Sequence, residues 1–437
     1  MSTTVPPAYA APFEELPPTN PLARMWADRR SRALAISLGG LLIFSLARII
    51  ADAPELTVTG TFAATVGGAA PILLAALGGL FSERAGVINI GLDGMMTLGT
   101  WSAGWAGWHY GPYAALVAGV IGGALGGLIH ALATVTFGVD HLVSGVAINV
   151  AAPGVTRFLS SEVFVGHGDG SISNSPTMHG TMGQVSLPFL SGGNLFGWTT
   201  PDPLGWLDRK RWFLVSDLAG LLHGLTYRMA WSTLVAILLV PVSAYVLWRT
   251  RFGLRLRSVG EKPSAADSLG VPVYRMKYIA VLISGGLAGL GGAWLAVDVR
   301  RYSERQTAGR GFTGLAALVF GNYRPSGIAG GAGLFSYVLA LTQRVGTKPV
   351  LALVLIGTIA FGLFAARQFV AKKPISGIGV GLLGVLFLIY YSITEQVNSQ
   401  FVYMAPYVVT LVVLAFASQR LRPPAADGKP WRKGMDS

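Results

Sequence analysis

Residues 80–96 read LFSERAGVINIGLDGMM, a polar interruption between two apolar runs at 61–80 and 95–108. Ser82, Glu83, Arg84, Asn89 and Asp93 fall inside it, beside Gly86, Gly91 and Gly94. Polar groups at membrane depth are costly unless they face a bundle interior or a water-filled cavity. Two readings follow: part of a solute pathway lined by Asn89 and Asp93, or a short polar loop joining two spans.

The apolar runs on either side belong to a longer series. The chain has 437 residues, 52% of them hydrophobic and 12% charged, with a mean hydropathy of +0.55. Soluble domains carry about 25% charged residues. Runs of about 17 residues or more recur, each enough to cross a hydrocarbon core of about 30 Å. The fold class expected is all-α, a polytopic transmembrane helical bundle of about 11–12 spans, one of them short or re-entrant.

Cysteine is absent, which excludes disulfides, thiolate metal sites and a cysteine nucleophile. The formal net charge is +13, in clusters that can share one side of a membrane. That is a topology signal, and nucleic acid is not expected as a partner. Residues 1–20 are Pro-rich without an apolar core, so residues 1–32 are expected to form an uncleaved, disordered cytoplasmic tail. Arg24, Arg29, Arg30 and Arg32 precede the first span, 33–50, and place the N-terminus in the cytoplasm. A transmembrane domain then covers 33–419, and a second cytoplasmic tail 420–437.

In the second span, 61–80, Pro71 removes a backbone donor and predicts a kink or break. Spans at 92–108, 113–137 and 142–159 follow. The glycines at 119, 122, 123, 126 and 127 permit close helix crossing. Asn149 needs a partner inside an apolar run, either a neighbouring helix or the solute. Residues 160–228 are long, low in hydropathy and expected outside, with Trp198, Trp206 and Trp212 suited to an interfacial belt or a docking surface. After a span at 231–248 the loop 249–277 is the most basic of the chain. Within it KPSAADSLGVPV (262–273) predicts a short helix, capped by Ser264 and Gly270.

The run 278–297 is the next span. Residues 312–320 are too few to cross: at about 1.5 Å per residue they cover less than half the core. They predict a half-helix whose N-terminal amides face a polar solute, with Arg310 and Thr313 at its start. SERAG at 82–86 and SERQTAG at 303–309 are faintly alike, a match short enough to arise by chance. Spans at 327–344, 350–366, 377–393 and 403–418 complete the series, and basic clusters at 367–373 and 420–433 fall inside.

Several chemistries are excluded. No P-loop pattern occurs, no GxSxG and no HExxH. The six histidines are scattered without metal spacing. Gly379, Gly381 and Gly384 satisfy GxGxxG inside an apolar span, where helix packing explains them.

With these residues in view, GGLFSERAGVINIGLDGMM (78–96) resembles the signature of the smaller permease of bacterial nucleoside and simple-sugar ABC importers, relatives of the ribose and branched-chain amino acid permeases. FGLRLRSVGEKPSAADSLGVPV (252–273), GRGFTGLAALVFGNYRP (309–325) and APYVVTLVVLAFASQRLRPPAADGKPWRK (405–433) resemble the same family in the same order. Asp93 stands where that pattern usually reads Glu, and the hairpin at 350–392 looks inserted relative to it.

The resemblance implies a multi-pass subunit of the bacterial plasma membrane. Its partners are an ABC ATPase, a second homologous permease and an extracytoplasmic substrate-binding lipoprotein, and it translocates nucleosides or related simple-sugar solutes by alternating access. It is not itself an enzyme and holds no cofactor, ATP and Mg²⁺ belonging to the partner ATPase. The short helix becomes the coupling helix, with Glu261, Ala265, Ala266, Asp267, Leu269 and Gly270 at its core. The bland alternative is a charged loop that sets orientation. Asn89, Asp93, Asn149, Thr313 and Arg310 are the candidate pathway residues; Asn and Asp each bond several hydroxyls. The rivals are an ion- or proton-coupled secondary transporter, a ribose permease and a membrane-embedded enzyme. The first needs a carboxylate relay and the last a catalytic cluster, and within clear spans Asp93 is nearly alone.

Overall fold

The computed structural model describes residues 29–195, 197–344, 347–394 and 421–434. Most of the expected tail at 1–32 and the expected span at 403–418 lie outside the described residues. The helices are α1 (Arg29–Ile50), α2 (Thr59–Arg84), α3 (Leu92–Tyr110), α4 (Pro112–Ala131), α5 (His141–Val163), α6 (Pro203–Arg209) and α7 (Val215–Gly224). They continue with α8 (Trp231–Arg249), α9 (Arg251–Glu261), α10 (Pro263–Ser268), α11 (Val273–Asp298), α12 (Arg310–Phe320), α13 (Pro325–Arg344), α14 (Thr347–Val370) and α15 (Pro374–Ile393). Among the described residues, seven helices are long and apolar enough to cross a membrane: α2, α4 with its π-helical end, α5, α8, α11, α14 and α15. The fold is the all-α polytopic bundle expected.

Lipid tails give no hydrophobic drive for helix to pair with helix, so close backbone contact must supply it. The glycines of α4 do this. A Cβ on Gly123 would lie 2.2 Å from Gly285 O, and one on Gly289 of α11 would lie 2.1 Å from Gly119 O. Gly292 meets Met96 O on α3 in the same way, at 2.1 Å. These contacts make α3, α4 and α11 one block, against which α2 buries Ile72, Leu74, Leu77 and Leu80.

Helix α2 runs unbroken through Pro71; the discontinuity comes later, at 85–91. A second one, 299–309, follows α11. Each comes after a 26-residue helix and each contains a left-handed glycine, Gly86 at φ 79° and Gly309 at φ 75°. SERAG and SERQTAG occupy these two places, at opposite faces of the bundle. The half-helix is present as α12, 11 residues long and so about 16 Å. Helix α10 also forms, but its N-cap is Lys262 with Pro263 at the first position. Ser264 lies inside the helix, because the fixed φ of Pro263 already opens it. The C-cap is Leu269, not Gly270, which follows it in the left-handed conformation at φ 78°.

The segment 164–230 folds over the face opposite α10. Two short antiparallel pairs shape it: β1 (Gln184–Val185) with β4 (Met229–Ala230), and β2 (Asn194–Leu195) with β3 (Trp198–Thr199). It is tied to 299–309 by backbone bonds, Met178 N–H to Arg300 O at 2.8 Å and Glu304 N–H to Ser173 O at 2.7 Å. Asp217 of α7 anchors α1 through Arg48 at 3.2 Å and the Ser45 hydroxyl at 2.6 Å. Trp198, Trp206 and Trp212 are exposed.

Candidate functional site

A cavity of about 590 Å³ opens toward the face that carries 164–230. Its walls are α2 at Gly67 and Gly68, α8 at Thr233, α11 at Trp294 and Asp298, and Gln306 with Arg310 at the start of α12. Gln184, Tyr227 and Arg228 stand at its mouth, where Arg228 Nε donates to Gln184 Oε1 at 3.0 Å. The volume is in the usual range for small-molecule sites, roughly 300–1,000 Å³.

The Trp294 ring forms one wall. Gly67 of α2 faces the ring closely: a Cβ there would lie in van der Waals contact with it, at 3.7 Å. The indole N–H is committed, donating to Thr233 Oγ1 at 3.0 Å, so the ring is held in orientation; the side chain is largely buried, and the part it leaves exposed lines the cavity. Asp298 lies one turn further along α11, and the charge of Arg310 acts on it. Arg310 Nη1 donates to Gln306 O and Thr307 O, both at 3.2 Å. One aromatic surface beside a carboxylate, a guanidinium and an amide suits a ligand with a flat apolar part and a hydroxylated part.

Of the five residues singled out from sequence, Arg310 lines this cavity. Asp93 sits behind the wall. Its Oδ1 accepts from Gly311 N–H at 2.9 Å and its Oδ2 from the Thr307 hydroxyl at 3.1 Å. The first-turn amide expected to face a solute therefore meets this carboxylate, which holds α12 against α3. Asn89 is fully buried, its Nδ2 donating to Ser284 Oγ at 2.9 Å and its Oδ1 accepting from Gly91 N–H at 3.0 Å. Asn149 bridges Gly94 N–H at 2.7 Å and Ile90 O at 2.8 Å. Thr313 donates to Gly309 O at 3.3 Å. Thus Asn89 and Asn149 pin the broken segment 85–91 and the first turn of α3, and Asp93 joins that turn to α12. Sequence reading passed over Trp294, Asp298, Gln306 and Thr233. The one signal for them was a Trp and an Asp one turn apart at the end of a Gly-rich span.

At the opposite face, Leu269 is 84% exposed and Ala265 is exposed, while Ala266 is buried in the core. Glu261 is exposed, and its Oε2 accepts from Ala425 N–H at 3.2 Å. Asp267 is half-buried and Gly270 exposed. The outward surface of this segment is therefore Ala265, Ser268, Leu269 and Gly270, ringed by the exposed Arg251, Arg255, Lys262 and Arg275.

Residues 61–364 match the family model described as the permease component of the branched-chain amino acid transport system. The chain belongs to this permease family. It is 34% identical over 367 residues to the nucleoside ABC transporter permease protein NupC of Lactococcus lactis, covering 82% of this chain and 92% of that one. Over 379 residues it is 32% identical to the guanosine ABC transporter permease protein NupQ of Bacillus subtilis, covering 85% and 96%. A putative glucose ABC transporter permease protein of Haloferax volcanii, TsgC13, is 30% identical over 384 residues, covering 86% and 98%. No solved structure matches the chain. It is a membrane-embedded permease subunit of an ABC importer, a multi-pass protein of the plasma membrane, and not itself an enzyme. Permeases of this family work with ATPase and substrate-binding partners.

Proposed function

We propose that this permease moves nucleosides, and that the cavity beside Trp294 is its solute site in the outward-open state. The observation that carries this is the Trp294 ring set against Asp298, Gln306 and Arg310 in one cavity. An indole face stacks a nucleobase, and carboxylate, amide and guanidinium groups bond ribose hydroxyls. The names of the relatives support the same solute class. Beneath the cavity, close-packed residues of α2, α11 and α12 close the way to the α10 face: a Cβ on Gly78 would lie 2.6 Å from Ser284 O.

In this reading the α10 face is cytoplasmic, as its exposed basic ring favours, and both termini lie on that side. The coupling segment then comprises Glu261, Ala265, Ala266, Asp267, Leu269 and Gly270. Ala265 and Leu269 enter a groove on the ATPase, and Ala266 seats the helix on the bundle. Asn89, Asp93, Asn149 and Thr313 shape the pathway by holding the two broken segments, and Arg310 meets the solute. A second, homologous permease completes the membrane unit, and a binding lipoprotein delivers solute to the face formed by 164–230. The test is ATP-dependent uptake of labelled guanosine, uridine, ribose and glucose by proteoliposomes holding the full complex. Nucleoside uptake that ribose and glucose do not compete supports the proposal. Uptake of sugar but not nucleoside, or uptake by the chain alone down an ion gradient, overturns it.

A further inference from the structure

Residues 421–434 lie across the α10 face, far in sequence from everything they touch. Ala426 N–H donates to Gly260 O at 2.9 Å. Ala425 N–H reaches Glu261 Oε2 at 3.2 Å, and Arg422 N–H reaches Asn322 Oδ1 at 2.9 Å. A Cβ on Gly86 would lie 3.1 Å from Ala426 O, and one on Gly428 would lie 2.7 Å from Ile88 Cδ1. The Trp431 indole is buried in the same apolar cluster as α2 and α11, its ring 5.2 Å from that of Tyr274. Asp427 faces Glu83 and Arg84 of α2, Lys277 of α11 and Tyr323 after α12. Arg422, Lys429, Arg432 and Lys433 point to solvent.

One segment therefore grips four places at once: the α9–α10 junction, the broken segment 85–91, the turn after α12 and the first turn of α11. By contrast, α10 itself buries only Pro263 and Ala266. We propose that residues 421–434 are a strap that carries movement of α10 to the broken segment 85–91, with Asp427 and Trp431 as its positioning residues. The proposal rests on the importer reading. Gly260 also packs directly on the end of α2, where its Cβ would lie 2.2 Å from Arg84 O, and the strap fastens that contact from the solvent side. Displacement of α10 by the ATPase is then shared by 85–91, whose other end, through Asn89 and Asp93, positions α3 and α12 beneath the cavity.

The strap is tested in the complete complex, with ATPase, binding protein and second permease in proteoliposomes, by measuring guanosine moved per ATP hydrolysed. Trp431→Ala and, separately, Ala426→Pro, which removes one N–H, should lower that ratio at least about fivefold while hydrolysis persists. Trp431→Phe should keep the wild-type ratio. The chain lacks cysteine, so Arg422→Cys with Asn322→Cys, at a strap contact outside the coupling segment and joined by a reducible thiol cross-linker, should restore the ratio in Trp431→Ala and lose it again on reduction. Uptake and hydrolysis falling in step, or an unchanged ratio in both variants, overturns the strap. Absence of ATP-driven uptake in the wild-type complex fails the importer reading instead.

Discussion

Asp93→Ala removes the group that joins the two broken segments. The carboxylate accepts from Gly311 N–H at 2.9 Å and from the Thr307 hydroxyl at 3.1 Å, at the N-terminus of an 11-residue helix. A hydrogen bond to a charged group contributes about 1.5–3 kcal/mol net, and a carboxylate at a helix N-terminus about 0.3–1 kcal/mol more. The two bonds share one side chain, and Thr307 can turn to another acceptor, so their sum is an upper bound. A loss of about 2–4 kcal/mol is expected for the docked first turn of α12, or about 30- to 700-fold in its opening equilibrium. Hydrogen exchange with mass spectrometry reads this on the peptide covering 307–320. Protection there should fall by that factor, while α14 and α15 keep theirs. Asp93→Asn, which keeps one acceptor and loses the charge, should fall between. Protection at 307–320 unchanged within about threefold in Asp93→Ala would refute the reasoning.

Gly289→Val places atoms on backbone, 2.1 Å from Gly119 O, and overpacking of about 1–3 kcal/mol or more should abolish the monodisperse peak on size exclusion; Gly154→Val, with nothing within 4 Å, should leave it. Leu269→Asp alters a side chain 84% exposed, so the permease should purify normally and fail to capture its ATPase; normal capture contradicts the coupling surface. Burial pushes the Asp427 carboxyl up to about 7. A raised acid means the docked strap binds a proton the released strap does not, so docking weakens as pH rises from about 4 to about 7 and is level above. A spin label at Lys429→Cys should gain mobility across that window, and Asp427→Asn should remove the dependence; Glu83, Arg84, Lys277 and Tyr323 surround the group.

The fold was legible because hydropathy and length decide a membrane span with few competing terms. The half-helix was legible for the same reason: nine apolar residues from 312 cannot cross. Pro71 does not break α2 because a helix in a bundle tolerates a missing donor when neighbours pack closely, and α2 is buried along most of its length. The site was half legible. Polarity at membrane depth marked Asn89, Asp93 and Asn149 as important, but polarity does not say whether a group's bonds are already filled by backbone. All three are filled, by backbone groups of 90, 91, 94 and 311 and by the hydroxyls of Ser284 and Thr307, which no sequence pattern pairs with them. Trp294 was passed over because a tryptophan near a span end is ordinary, and only the bond to Thr233 of another helix and the return of the chain through Gln306 and Arg310 place it beside a cavity. The segment from 420 reads from sequence only as a cytoplasmic tail, because its basic, Pro-rich composition conceals the buried Trp431.

The account's central claim is that the Trp294 ring reads the base of a nucleoside. Stacking of a base on an aromatic ring contributes about 1–3 kcal/mol, or about fivefold to 150-fold in affinity. In the reconstituted complex, Trp294→Ala should raise the KM for guanosine within that range, Trp294→Phe should raise it less, and Trp105→Ala, off the cavity, should leave it unchanged. An unchanged guanosine KM in Trp294→Ala would contradict the claim.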